Sequence, residues 1–85
     1  MKEIIRKFLQ NQFLFEFDEN SITSHTNLFT SGLVDSFGFV ELISFLEFKF
    51  QIKFLDEELL SNSLNSLDSI TKTIEEKQRN AISIS

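Results

Sequence analysis

Residues 35–50 have the sequence DSFGFVELISFLEFKF, and this stretch decides how the rest of the chain is interpreted. Its apolar residues recur at spacings of three and four, a pattern typical of an amphipathic helix. Asp35 and Ser36 are both competent N-caps, because their side-chain oxygens accept hydrogen bonds from free backbone N–H groups. We therefore predict a helix from Asp35 or Ser36 to about Phe50. Its buried face consists of Phe39, Leu42, Ile43, Leu46 and Phe50.

The flanking segments predict three more helices. Residues 2–15 and 67–78 both have helical apolar spacing, and residues 56–60 form a short helix with acids in its first turn. Residues 18–30 are rich in Asp, Asn, Ser and Thr, which favour turns, so they predict a long loop. Residues 51–55 alternate like a strand, but an isolated strand is unstable, so we interpret them as an extended connector. Apolar anchors should pin the loop to the body: Ile22, Leu28, Phe29, Leu33 and Val34.

These elements predict an all-α fold, a four-helix bundle with three longer helices and one short third helix. A long loop separates helices one and two. A chain of 85 residues is long enough for one core only, so we expect a single domain over residues 1–80 and a frayed tail over residues 81–85. The sequence contains 11 phenylalanines, and we expect aromatic side chains to supply much of the core.

Composition excludes several function classes. The formal charge is −5 without a cluster of Lys or Arg, so nucleic acid is not an expected partner. The chain has no cysteine, which excludes disulfides, thiolate chemistry and Cys-based metal sites. No apolar run approaches the 18 or so residues of a membrane span, and the charged N-terminus is unlike a secretion signal. We expect a cytoplasmic monomer that does not insert into membranes.

The sequence contains no catalytic constellation. His25 is the only histidine and lies in the polar loop, where we expect a solvated side chain. The only glycines are Gly32 and Gly38, which are too few for a phosphate-cradling loop. We therefore predict no catalytic residue and no metal site, and we expect that the chain is not an enzyme.

The helix over residues 35–50 has a second face that is neither polar nor buried. Phe37, Glu41, Ser44 and Phe48 lie at i, i+4, i+7 and i+11, opposite the core face. Residues 35–58 contain six acids and two bases, which gives this region a net charge of −4. Exposed aromatic side chains beside carboxylates are typical of a partner-binding surface, although an ordinary solvated helix face remains the alternative.

The start of the same helix is a candidate modification site. The loop Gly32-Leu33-Val34 leads to Asp35 and Ser36, so it delivers a serine to a helix N-terminus. Free N–H groups and the helix dipole favour negative charge there, so a phosphoryl group on Ser36 would be stabilised. The alternative is that Ser36 only caps the helix.

Taken together, residues 28–58 resemble the acyl carrier protein family, four-helix modules that bear 4'-phosphopantetheine on a serine. The resemblance rests on an ordered set of motifs: Leu28-Phe29-Thr30-Ser31-Gly32, Asp35-Ser36-Phe37, Val40-Glu41-Leu42, Leu46-Glu47, Phe50-Gln51-Ile52-Lys53-Phe54 and Asp56-Glu57-Glu58. The similar triplet Asp68-Ser69-Ile70 has no glycine loop before it and no Val-Glu-Leu after it, so we interpret Asp68 as a cap or first-turn acid.

The resemblance implies that Ser36 carries 4'-phosphopantetheine derived from coenzyme A, with acyl or aminoacyl cargo held as a thioester. It implies that Asp35 assists a Mg-dependent phosphopantetheinyl transferase, and that Phe37, Glu41 and Glu47 contact partner enzymes. Those partners would be the transferase, an acyl- or aminoacyl-loading ligase or synthetase, and a downstream acyltransferase or synthase.

This chain departs from the pattern of the fatty-acid carriers at three positions. Phe37 and Gly38 follow the serine where that pattern commonly has Leu and an acid, and Phe48 stands at an often acidic position. The implied pathway is therefore fatty acid biosynthesis or, by preference, specialised acyl or secondary metabolite biosynthesis. We expect short or polar cargo, because a packed aromatic core resists opening. The alternative function is an unmodified helical adaptor that binds a partner through Phe37, Phe48 and the acidic surface.

Overall fold

The computed structural model describes residues 1–18 and 20–84, and within them the side chains of all residues except 62 and 80–84. Four α-helices follow one another: α1 over Lys2–Phe13, α2 over Ser36–Phe50, α3 over Asp56–Leu60 and α4 over Leu67–Ile84. A short 3-10 helix over Asn62–Leu64 lies between α3 and α4. The predicted all-α fold, with a short third helix and a long loop after α1, is confirmed.

Two helix boundaries differ from the predicted ones. α1 ends at Phe13, because Leu14 adopts a left-handed conformation with φ of 58° and its N–H bonds the carbonyl of Gln10. α4 continues to Ile84 and so includes residues 81–84, which were expected in a frayed tail. No glycine or proline follows Gln78 to end the helix. Ser85 lies outside the described residues.

The core is aliphatic, which corrects the expectation of an aromatic one. Of the 11 phenylalanines, only Phe54 is buried, at 8% exposure. Leucine and isoleucine hold the central positions of each helical stripe, and half-buried phenylalanine rings pack around them. The remaining buried core side chains are Ile5, Leu9, Leu28, Val34, Leu42, Leu46, Leu64, Leu67, Ile70 and Ile74.

The long loop is pinned to the body as predicted. Leu28 and Val34 are buried in the core, and the N–H of Val34 donates to the carbonyl of Leu28 at 3.0 Å. The N–H of Leu28 also donates to the carbonyl of Asn65 at 2.7 Å, which ties the loop to the segment before α4. These contacts fix the approach of the chain to α2.

The carboxylate of Asp68, in the first turn of α4, joins three segments. Lys2 Nζ lies 2.5 Å away, His25 Nδ1 2.8 Å and Ser24 Oγ 3.1 Å. The hydrogen bond from Lys2 is the main cause that holds the pKa of Asp68 below its ordinary value. His25 is exposed, as predicted, but it has a carboxylate partner that local sequence spacing does not reveal. No helix in the described part of the chain is both long and apolar enough to cross a membrane.

Candidate functional site at the start of α2

Asp35 is the N-cap of α2. Its backbone is extended, with φ of −98° and ψ of −176°, and its Oδ1 accepts a hydrogen bond from the N–H of Gly38 at 2.8 Å. Its carbonyl accepts from the N–H of Phe39 at 2.8 Å, which begins the helix. The sequence left Asp35 and Ser36 as alternative caps, and the structure assigns that role to Asp35.

Ser36 is therefore the first helical residue and not the cap. It is exposed, and none of the hydrogen bonds formed within the described part of the chain uses its hydroxyl group. The first N–H groups of a helix have no acceptor within the helix, and this applies to those of Ser36 and Phe37. The hydroxyl is accessible for chemistry, in a setting that favours an attached anion.

Ser69, in the similar triplet near the start of α4, has a different environment. Its hydroxyl accepts from the N–H of Ser66 at 3.0 Å and lies 3.3 Å from Asn65 Oδ1. The hydroxyl of Ser66 in turn accepts from the N–H of Ser69 at 3.2 Å. Ser69 is half-buried in this reciprocal cap. The two serines therefore differ in their hydrogen bonds. The Ser36 hydroxyl has no partner within the described residues, whereas the Ser69 hydroxyl takes part in the cap at the start of α4.

A groove with a cavity volume of about 690 Å³ opens beside Ser36. Its walls are mainly apolar, and the rings of Phe29 and Phe39 meet edge to face with centroids 5.2 Å apart. Sequence reasoning missed this groove, because its lining comes from four separate segments with no shared spacing. The lining residues are Phe29, Val34, Asp35, Ser36, Phe39, Val40, Leu59, Ser61 and Leu64.

The outward face of α2 carries an apolar ridge, which we define as Phe37, Val40, Ser44 and Phe48. Phe37 is 77% exposed and Phe48 is 79% exposed, as the sequence predicted. Val40 is 64% exposed and lies between Phe37 and Ser44 on the same face, and sequence reasoning missed it as a surface residue. The ridge begins one residue after Ser36, so any protein that covers it also lies close to the serine.

The two carboxylates predicted for the partner-binding surface take part in internal hydrogen bonds. Glu41 Oε2 accepts from Gln12 Nε2 of α1 at 2.7 Å. Glu47 Oε2 accepts from the N–H of Phe54 at 3.0 Å, which fixes the connector after α2. Both residues are half-buried. The exposed part of the predicted surface is therefore the apolar ridge, and these carboxylates lie along its sides.

The acids of α3 also fall into two groups, one with internal partners and one exposed. Glu58 accepts from the N–H of Leu55 at 2.7 Å and pairs with Lys77 Nζ at 2.7 Å. Burial opposes ionisation of Glu58, but the Leu55 N–H and Lys77 outweigh it and lower the pKa. Asp56 and Glu57 are exposed. Within α3, these two carboxylates remain accessible to a positively charged group of a partner.

Gly38 is buried under the ring of Phe13, the last residue of α1. A Cβ at position 38 would lie 2.5 Å from Phe13 Cε1 and 3.3 Å from Asp35 Oδ1. By helix propensity alone, glycine at position 38 would loosen the start of α2. The structure instead gives it a packing role, since a Cβ at this position would force the Phe13 ring to move.

Within residues 1–18 and 20–84, no group of three or more His, Cys, Asp or Glu side chains is placed to hold a metal ion. No protein-family model matches the sequence, and no curated protein matches it.

Proposed function

We propose that this chain is a carrier protein whose Ser36 bears 4'-phosphopantetheine and delivers acyl or aminoacyl thioesters to partner enzymes. The observation that carries the proposal is the free, exposed hydroxyl of Ser36 at the first residue of α2, with the cap supplied by Asp35. The order of motifs around it, from Leu28 to Glu58, supports the same function.

The residues present fit an attached phosphodiester. The N–H groups of Ser36 and Phe37 can donate to its oxygens, and the positive end of the α2 dipole stabilises its charge. Asp35 is positioned by its bond to Gly38 through one oxygen, which leaves the other available to the loading machinery. When bound, phosphopantetheine supplies a terminal thiol, which a chain without cysteine lacks.

Attachment requires only that Ser36 act as a nucleophile. Its Oγ forms a bond to the pantetheine-bearing phosphorus of coenzyme A, and the phosphorus–oxygen bond of the pyrophosphate breaks. Adenosine 3',5'-bisphosphate leaves with the electron pair, and the serine proton passes to solvent. A separate transferase catalyses this step in the proposal, so this chain supplies the acceptor hydroxyl and the surface that the transferase recognises.

The groove beside Ser36 is suited to short cargo. Its apolar walls offer contact to an acyl group that lies along the surface. Two of its lining residues, Val34 and Leu64, are buried in the core, so a long chain would have to displace packed side chains. The proposed pathway is fatty acid or specialised acyl biosynthesis, with a loading ligase or synthetase and a downstream acyltransferase or synthase as further partners.

The test is the intact mass of the protein after incubation with a broad-specificity phosphopantetheinyl transferase, coenzyme A and Mg²⁺. The proposal predicts a gain of one phosphopantetheine on the wild type and none on Ser36→Ala. No gain with several such transferases would contradict it.

A second candidate is an unmodified adaptor, and the observation that favours it is the apolar ridge of α2. Large exposed aromatic side chains are typical of binding surfaces whether or not the protein is modified. The two functions differ in what Ser36→Ala does in cells: an adaptor keeps its function, and a carrier loses it completely.

A further inference from the structure

The ring of Phe13 joins α1 to the first turn of α2. It lies in the space that a side chain at position 38 would occupy, so it is in contact with the backbone of Gly38. The same glycine donates the capping hydrogen bond to Asp35 Oδ1 at 2.8 Å. Gly38 therefore contacts both Phe13 and Asp35, and Ser36 lies between Asp35 and Gly38 in the sequence.

Phe13 is itself held by other aromatic side chains. Its ring meets Phe8 edge to face, with centroids 6.5 Å apart, and Phe8 stacks on Phe45 of α2 with centroids 4.0 Å apart. After Phe13, the left-handed Leu14 ends α1. The ring is thus the last side chain of α1 and is fixed against α2 by its own helix.

We infer that Phe13 is a positioning residue for the modification of Ser36, acting through Gly38 and the Asp35 cap. This inference rests on the proposed carrier function. The ring covers one side of the capping bond and keeps the first turn of α2 in a single conformation. Without it, the turn would open more often, and Ser36 would be correctly presented for only part of the time.

This role predicts a particular kinetic signature. If only a fraction of molecules presents Ser36 correctly, the apparent affinity of an enzyme for the protein falls by that fraction. The Michaelis constant of a phosphopantetheinyl transferase for this protein should therefore rise, with little change in kcat. For Phe13→Ala we expect KM to rise by about fivefold and kcat to stay within about twofold of the wild type.

Gly38→Ala supplies an independent probe of the same contact. Alanine is a better helix former than glycine, so it should raise Tm wherever its methyl group has room. In the wild type the methyl group meets the ring, so we expect a lower Tm and a higher KM. In the Phe13→Ala background the ring contact is gone and only the 3.3 Å contact with Asp35 Oδ1 remains, so Gly38→Ala should lower Tm less than in the wild type and should not raise KM further.

The matched control is Phe17→Ala, which removes a half-buried ring that meets Phe15 edge to face, with centroids 4.9 Å apart, and that lies outside the contacts holding Phe13. It should lower Tm about as much as Phe13→Ala while leaving KM within about twofold of the wild type. The experiment measures Tm, kcat and KM for the wild type, both single phenylalanine variants, Gly38→Ala and the double variant. The probe is a broad-specificity transferase with coenzyme A and Mg²⁺, read by intact mass over time.

The outcomes separate the two proposals. An adduct on the wild type with unchanged KM in Phe13→Ala, or an equal rise in Phe17→Ala, would overturn the positioning role and leave the carrier function in place. Equal effects of Gly38→Ala with and without the ring would overturn it as well. No adduct on the wild type would overturn the carrier function and the positioning role with it.

Discussion

The carboxylate of Asp35 accepts a hydrogen bond of 2.8 Å from the backbone N–H of Gly38, and this bond leaves the neighbouring serine free. A serine at the N-cap would use its hydroxyl oxygen to accept a hydrogen bond from a backbone N–H of the first turn. Because Asp35 does so instead, Ser36 lies in the first turn with an exposed hydroxyl. The proposed attachment site therefore depends on two adjacent residues: Asp35 caps α2, and Ser36 keeps a free hydroxyl.

Substitutions of Asp35 should separate its capping role from its charge. Asp35→Ala should lower the free energy of unfolding by about 1 kcal/mol, because the N–H of Gly38 loses its acceptor. Asp35→Asn should cost only a few tenths of a kcal/mol, since asparagine caps as well as aspartate. Urea unfolding measures both. Equal losses in the two variants would contradict the capping assignment.

The charge of Asp35 should affect the rate of modification even where its capping bond is kept. If Asp35 assists a Mg-dependent transferase, Asp35→Asn should slow phosphopantetheine transfer by about tenfold although the fold is intact. Intact mass over time measures the rate. Wild-type rates in Asp35→Asn would show that the carboxylate serves the helix alone.

Stability should depend on pH through Asp68. Its pKa is lowered in the folded protein, so its contribution is present above its ordinary value of 3.8 and is lost as the pH falls through the folded value. Lys2, Ser24 and His25 face this carboxylate. Because the group is partly exposed, Asp68→Asn should lower the free energy of unfolding at pH 7 by no more than about 1 kcal/mol.

The comparison of pH 7 with pH 3 then tests the assignment. At pH 3 the difference between the wild type and Asp68→Asn should shrink, because below the ordinary value of 3.8 the carboxylate of the unfolded chain takes up a proton more readily than that of the folded protein. Asp56→Asn makes the same charge change at an exposed carboxylate and should show little effect at either pH. A difference for Asp68→Asn that persists undiminished at low pH would argue against the ion-pair explanation.

Two substitutions on α2 should differ sharply in their effect on stability. Leu42→Ala removes a fully buried side chain and should lower the free energy of unfolding by about 2 to 5 kcal/mol. Phe48→Ala removes a larger side chain that is 79% exposed and should change it by no more than about 0.5 kcal/mol. Chemical denaturation gives both values. A large loss for Phe48→Ala would mean that the ridge is buried, for example by self-association.

The ridge should matter for recognition in proportion to its exposure. In the carrier proposal, Val40→Ala combined with Phe48→Ala should lower kcat/KM of a phosphopantetheinyl transferase by about tenfold, which corresponds to roughly 1.4 kcal/mol. Leu14→Ala is the matched control, since Leu14 is 89% exposed but lies on α1's C-terminal cap. Similar rates for the double variant and the control would exclude the ridge from transferase binding.

Local patterns in the sequence were sufficient to predict that the helices form and to predict part of the candidate site. The spacing of Leu42 and Leu46 predicted the buried face of α2, and the same spacing placed Phe37 and Phe48 on the outside. The end of α1 was not predictable in this way, because Leu14 adopts a left-handed conformation that is more usual for glycine or asparagine.

The features that local sequence patterns did not predict depend on contacts between segments that are distant in the sequence. The sequence assigned Glu41 and Glu47 to a partner, but their acceptor roles toward Gln12 and the N–H of Phe54 depend on how α1 and the connector pack on α2. The same is true of the Phe13 ring on Gly38 and of the groove beside Ser36. No local spacing encodes these pairs, since their members meet only in the folded chain.

The most direct test of the central claim is the location of the modification. After incubation with a phosphopantetheinyl transferase, coenzyme A and Mg²⁺, the protein is digested and its peptides are mapped by mass spectrometry. The carrier account predicts one phosphopantetheine on the peptide that contains Ser36, and an unmodified peptide that contains Ser69. An adduct at Ser69, or no adduct at all, would contradict it.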